Sequence, residues 1–363
     1  MARTAWLITG LFVFLGAGVA GVYLRRSSAP PLDSDRAMRP IVAKTRRALE
    51  TKSFADVIRL AREVPDDQPD AAEVRLWEGA AHWKLERWQA AERAWQRALE
   101  INPAVPEAGW RLLEMYFRLQ RWQDAEDLAL KLYPIEPDAA DRSQLLLELI
   151  RQDNERLGPE ATVTTLEAVL VNEPENFHVN RVVGLSYVQL GRHSDGAELI
   201  QKARRLHPND LDGAFSWVWY LFETGQMQRL GEAWDQIPAA ALEQSRFLRY
   251  RGMWAETVDD FAEAERAYRA TLEVDPGDRK AHYQLARLLR ARGDEVDAVL
   301  HADEARELDV SREALAAAYI RAKQSDFNLS ADNCRDFARL CDRLGRKRQA
   351  ECWEQEAARR TAP

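Results

Sequence analysis

Four positions separated by identical steps constrain this chain more than any other feature. Gly184, Val218, Gly252 and Ala286 stand 34 residues apart in sequence. Around two of them the same company returns: Gly184 with Gly196, Ala203 and Pro208, and Gly252 with Ala264, Thr271 and Pro276. Earlier, Gly79, Ala91, Trp95, Ala98 and Pro103 take the equivalent places, and Leu113, Ala125 and Pro137 take them in the next unit. Small residues at these places let two helices approach closely, a large aromatic fills the gap beside them, and proline ends the second helix. A unit of this length cannot bury its apolar face alone. Neighbours must stack, and the period therefore specifies an all-α solenoid.

The pattern resembles the tetratricopeptide repeat (TPR), a 34-residue helix–turn–helix unit. The resemblance implies a right-handed α-solenoid over residues 41–323, about eight repeats with the first degenerate. Units 72–105, 106–139, 177–210, 211–244, 245–278 and 279–312 hold the register. The unit at 140–176 is three residues longer, and Gly158-Pro159 marks where the extra length should sit and bend the superhelix. Pro238 should cut the second helix of unit 211–244 short. After Glu313 the phase is lost: EALAAAYIRAKQ reads as a separate helix, and residues 324–363 as a degenerate repeat or a capping pair with a turn at Gly345. The expected total is at least fifteen helices and no sheet.

Thr4 to Leu24 is a run of 21 residues without a charge, with Trp6 and Tyr23 near its ends and Arg25-Arg26 closing it. About 20 apolar residues span a bilayer as a helix, so residues 1–26 read as a transmembrane anchor preceding the solenoid. The other reading is a cleaved signal peptide, with Gly18-Val19-Ala20 as the cleavage site. Residues 27–40 are a Pro/Ser-containing linker. The expected location is a single-pass protein of a bacterial cytoplasmic membrane. The flanking charges leave the side of the solenoid open.

Charge excludes one class of partner. Residues 1–47 carry eight Lys/Arg and two acids, so within the formal net charge of −8 the rest of the chain holds −14. Nucleic-acid binding needs a basic footprint, which this body lacks. The related pentatricopeptide pattern has a longer period and a basic groove, and fits neither observation. No GxGxxG, GxxxxGK, HExxH or GxSxG occurs, and the six histidines fall at scattered repeat positions. Cys334, Cys341 and Cys352 lack CxxC spacing and a fourth ligand, so no metal is expected among them, and Cys334 and Cys341, which share a helix face, read as packed thiols. No enzyme, cofactor or small-molecule substrate is expected.

In proteins with this repeat the first helices line a concave groove. Carried over position by position, the resemblance places Trp83, Trp110, Phe117, Arg181, Phe215, Trp219 and Phe222 in its earlier part. It places Arg246, Arg249, Lys280, Tyr283, Arg287 and Arg290 in its later part. The carboxylate clamp of chaperone-binding repeats is not met, because Met253 stands where Asn is required. Aromatics followed by five cations imply a membrane-anchored adaptor that binds a protein or peptide partner, apolar toward Trp219 and acidic toward Arg249. The second reading is an accessory subunit of a bacterial envelope biogenesis or secretion complex, docked permanently by one end of the solenoid.

Overall fold

The computed structural model describes residues 40–361 apart from 104, 155, 156 and 326. These residues form 18 α-helices and no strand. The expected anchor and the linker up to residue 39 lie outside the described residues. Among the described residues no helix is long and apolar enough to cross a membrane.

Hairpins follow one another as the period requires. The first is α1 (Pro40–Glu50) with α2 (Phe54–Ala61), then α3 (Ala71–Lys84) with α4 (Trp88–Ile101) and α5 (Pro106–Arg118) with α6 (Trp122–Leu132). After α7 (Ala139–Asn154) and α8 (Pro159–Asn172) come α9 (Phe177–Gln189) with α10 (His193–Leu206) and α11 (Leu211–Glu223) with α12 (Met227–Trp234). The series ends with α13 (Ser245–Thr257) and α14 (Phe261–Val274), α15 (Arg279–Ala291) and α16 (Glu295–Gln324), and α17 (Ala331–Arg343) and α18 (Lys347–Thr361).

Two local devices recur among the hairpins. The residue fifteen places into a unit takes a left-handed backbone: Glu86 (φ 54°), Gln120 (50°), Gly191 (79°), Gly225 (69°), Asp259 (60°) and Gly293 (84°). That single residue reverses the chain, and the next N–H closes the turn, as Arg87 does on the His82 carbonyl at 3.0 Å. The small residue at place eight then admits an aromatic from the second helix. A Cβ built on Gly79 would lie 2.3 Å from the Trp95 ring, and one on Gly252 would lie 2.6 Å from Tyr268. Trp95 also donates its indole N–H to the Leu76 carbonyl at 3.2 Å.

Two expectations are corrected and one is completed. First, α16 is one helix of 30 residues, so EALAAAYIRAKQ is not separate. Where other units carry proline, this one carries Val310, and no Gly or Pro interrupts 295–324. Second, the long unit does more than bend. Helix α7 packs on α6, α16 and α18. Helix α8 packs on α9, and the Glu173 carboxylate at its end accepts the Gln89 N–H at the start of α4 (3.0 Å). Third, the C-terminal pair, which the sequence left open as a degenerate repeat or a cap, packs back on the interior. Leu315, Tyr319, Phe337 and Trp353 share a buried cluster with Tyr133, Leu146, Leu147 and Ile150. Cys334 and Cys341 are fully buried in that cluster, as the sequence reading of packed thiols requires.

A polar clasp fixes this return. Glu356 is fully buried and lies 3.1 Å from both Arg142 Nε and Arg360 Nε. The Tyr133 hydroxyl donates to the Cys352 carbonyl at 3.0 Å. Arg360 also donates to Ser143 Oγ (2.8 Å) and to the Leu329 carbonyl (2.6 Å). Arg348 pairs with Asp127 at 2.6 Å, and Gln349 donates to Glu126 at 2.9 Å. The chain from α6 to α18 thus closes on itself.

Candidate partner-binding groove

The early aromatics largely serve the scaffold. Trp83 stacks on Trp88, with centroids 4.0 Å apart and planes at 17°, and Arg118 sits over its ring at 5.9 Å. Phe117 is buried, whereas Trp110 is half-buried. With Arg111, Leu113, Glu114, Glu148 and Arg151 they line a crevice of only about 30 Å³ between α5 and α7. Arg181 does not belong to the groove. It is buried, and its guanidinium donates to the Leu119 and Gln120 carbonyls at 2.8 and 3.1 Å, where α9 meets the α5–α6 turn. Those two carbonyls end α5 and have no partner within the helix, which explains why a cation is drawn there.

The middle aromatics bridge α11 and α13. Phe215 meets Phe247 (5.4 Å) and Tyr250 (5.3 Å) edge-on, and Phe222 meets Tyr250 at 5.3 Å. Trp219 packs beside them, half-buried. Tyr250, which the position transfer missed, is the hub, and burial pushes its phenol up to about 12.

The later cations require a correction. They do not form an uncompensated positive zone. Arg246 pairs with Asp212 at 2.7 Å and lies over Phe215 at 4.9 Å. Arg249 pairs with Asp278, Arg287 with Glu256, and Arg290 with Glu295 at 3.5 Å. Each acid comes from a neighbouring helix or turn, so the fold neutralises charges that share a face in sequence. The argument for an acidic partner segment at this zone loses its electrostatic basis. Asp212 was findable, because it occupies a groove place in its own unit. Asp278 was not, because it caps α15 by accepting the Ala281 N–H (3.0 Å) and lies outside the helix that lines the groove.

On α15 four of the expected residues remain exposed together. Lys280, Tyr283, Arg287 and Arg290 recur at helical spacing, and Tyr283 is 57% exposed. A ring of this size standing in water between cationic stems is a binding-ready feature. No group of three or more His, Cys, Asp or Glu side chains that could hold a metal occurs among the described residues.

The family model described as tetratricopeptide repeat matches residues 76–140 and 255–326. The chain carries tetratricopeptide repeats over these residues. Proteins of this family bind protein partners and are generally non-catalytic. No curated protein matches the sequence. Among solved structures, MamA of Desulfovibrio magneticus RS-1 is similar at 18% identity, over 48% of this chain and 97% of its own, with a TM-score of 0.37. PilF of Pseudomonas aeruginosa is similar at 16% identity, over 61% and 91%, with a TM-score of 0.38. The human IFIT1 dimer is similar at 15% identity, over 80% and 73%, with a TM-score of 0.39.

Proposed function

We propose that this tetratricopeptide-repeat protein is a non-catalytic scaffold that holds a protein or peptide partner on its first-helix face and is tethered to a bacterial cytoplasmic membrane through residues 4–24. The observation that carries the reading is the exposed row Lys280, Tyr283, Arg287 and Arg290 on α15. It adjoins the half-buried Trp219 and Phe222 zone through Tyr250 and Arg249. Because Arg249, Arg287 and Arg290 are paired, contact is expected to be driven by the aromatic and apolar surface, with charge setting register. The test is recovery of partners with the full chain and with Tyr283→Ala combined with Arg287→Glu. Loss of the partner with intact circular dichroism supports the reading, and unchanged recovery sinks it.

A permanent subunit role is the second reading, and one observation bears on it. The C-terminal helices are engaged with α6 and α7, so a fixed dock would use the α1–α2 end, beside the tether. One stoichiometric partner would favour the subunit, and several substoichiometric ones the adaptor. The tether itself is tested by carbonate extraction, which should leave the full chain with the membrane. A mature N-terminus at Gly21 would identify a cleaved signal instead.

A further inference from the structure

Pro238 has a consequence on the opposite side of the repeats. Helix α12 spans only eight residues, whereas the second helices α10 and α14 span 14. The end of α10 therefore faces a hollow where a longer neighbour would lie. The cavity measures about 470 Å³. Gln201, Arg204 and Arg205 of α10 line it, with Trp217 of α11 and Arg229 and Glu232 of α12.

Its charge differs from that of the groove. The Arg204 and Arg229 guanidinium groups lie 5.5 and 5.3 Å from the centroid of the Trp217 ring. Trp217 is buried and backed by Tyr220, stacked at 5.1 Å, so it is a fixed floor. Arginines elsewhere on these repeats have an acid: Arg246 has Asp212, Arg192 has Asp195 and Arg251 has Glu263. Arg229 donates only to the Gln226 amide oxygen. Arg204 and Arg205 lie beyond ion-pair distance of every described carboxylate, and burial pulls the Arg204 guanidinium down with no acid opposing it. Glu232 is the one acid on the cavity wall and pairs with neither arginine, so two cations held over one ring are costly unless a further anion completes the site.

We propose that this cavity docks an acidic peptide segment of a partner protein, whose carboxylates are received by the Arg204 and Arg229 forks while its apolar atoms cover Trp217. This deepens the scaffold reading and rests on it. Guanidinium forks match carboxylates bidentately. A bare phosphate would use the forks and leave the indole uncovered, whereas a peptide uses both. The chain's net charge of −8 gives an acidic segment no long-range attraction, so recognition is local to these three arginines.

The experiment uses the full chain and a fluorescein-labelled octapeptide alternating Glu and Leu. A Gln–Leu octapeptide and inorganic pyrophosphate are the comparison ligands. The Glu–Leu peptide should bind at least about tenfold more tightly than the Gln–Leu peptide, and less tightly as salt rises. Arg204→Gln with Arg229→Gln should abolish that preference, and Tyr283→Ala with Arg287→Glu should leave it intact. Absence of a Glu preference overturns the site. So does preference lost only on the Tyr283/Arg287 side, which would leave the scaffold reading standing. Pyrophosphate binding more tightly than the peptide, through Arg204 and Arg229, would reassign the cavity to phosphate and overturn the peptide proposal.

Discussion

A methyl group at position 79 has no room. It would sit 2.3 Å from the Trp95 ring, whose N–H is already committed to the Leu76 carbonyl. Trp95 is 1% exposed and cannot swing into solvent. Gly79→Ala should therefore destabilise the α3–α4 hairpin by about 1–3 kcal/mol, the usual cost of overpacking, read as a lower urea midpoint. A gain in stability would mean that the ring relaxes freely and that the small-residue place does not hold the helices together. This contact was legible in the sequence because the small residue and the ring recur at fixed steps. The pairings of Arg246 and Arg287 were not, although Asp212 and Glu256 were visible as groove residues. Sequence spacing shows which cations share a helix face, but whether Asp212 or Glu256 reaches them depends on how one helix is turned against the next. The His282–His301 contact (Nδ1 to Nδ1, 3.0 Å) was illegible for the same reason.

At the scale of elements, α9 shows how the long unit is repaired. The α7–α8 hairpin opens, and α9 is held against the α5–α6 turn by Arg181. His178 enters the same joint, edge-on to Phe177 at 4.9 Å. Burial pushes its imidazole down to about 2, with the Arg121 and Arg181 charges adding to the effect. The folded-state value is thus below the ordinary 6.5, so the unfolded chain takes up a proton that the native joint refuses. The stability this contributes is present above pH of about 6.5 and is lost as pH falls toward the folded value, by up to about 1.4 kcal/mol per pH unit. His178→Gln should flatten the fall in melting temperature between roughly pH 6.5 and 5, before most carboxylates titrate. An identical fall in the variant would remove His178 from the joint's energetics. The extra length beside Gly158 was readable as an irregularity. That it frees α7 to receive the C-terminus was not, because the receiving face carries no period.

For the whole molecule, closure changes how the chain should unfold. An open repeat array couples each unit only to its neighbours and melts in stages. Here Glu356 joins α18 to α7 across more than 200 residues of sequence, with Arg142 and Arg360 both on its carboxylate. Residues 133–357 are therefore tied at both ends and should open as one unit, whereas α1 and α2, whose buried residues belong to a separate cluster, can release separately. Glu356→Gln keeps the shape but leaves two half-buried guanidinium groups without their counter-charge, a loss of at most about 3 kcal/mol, since water reaches both arginines. Its effect should be felt far from the site. In native-state hydrogen exchange the wild-type amides of α7, α13 and α17 should share one opening free energy. In the variant α17 and α18 should exchange first and α13 should fall to a separate, lower value, while α3 should not move. If α13 is unaffected while α18 loosens, the clasp secures only the C-terminus, and the interior repeats are stabilised by their neighbours alone.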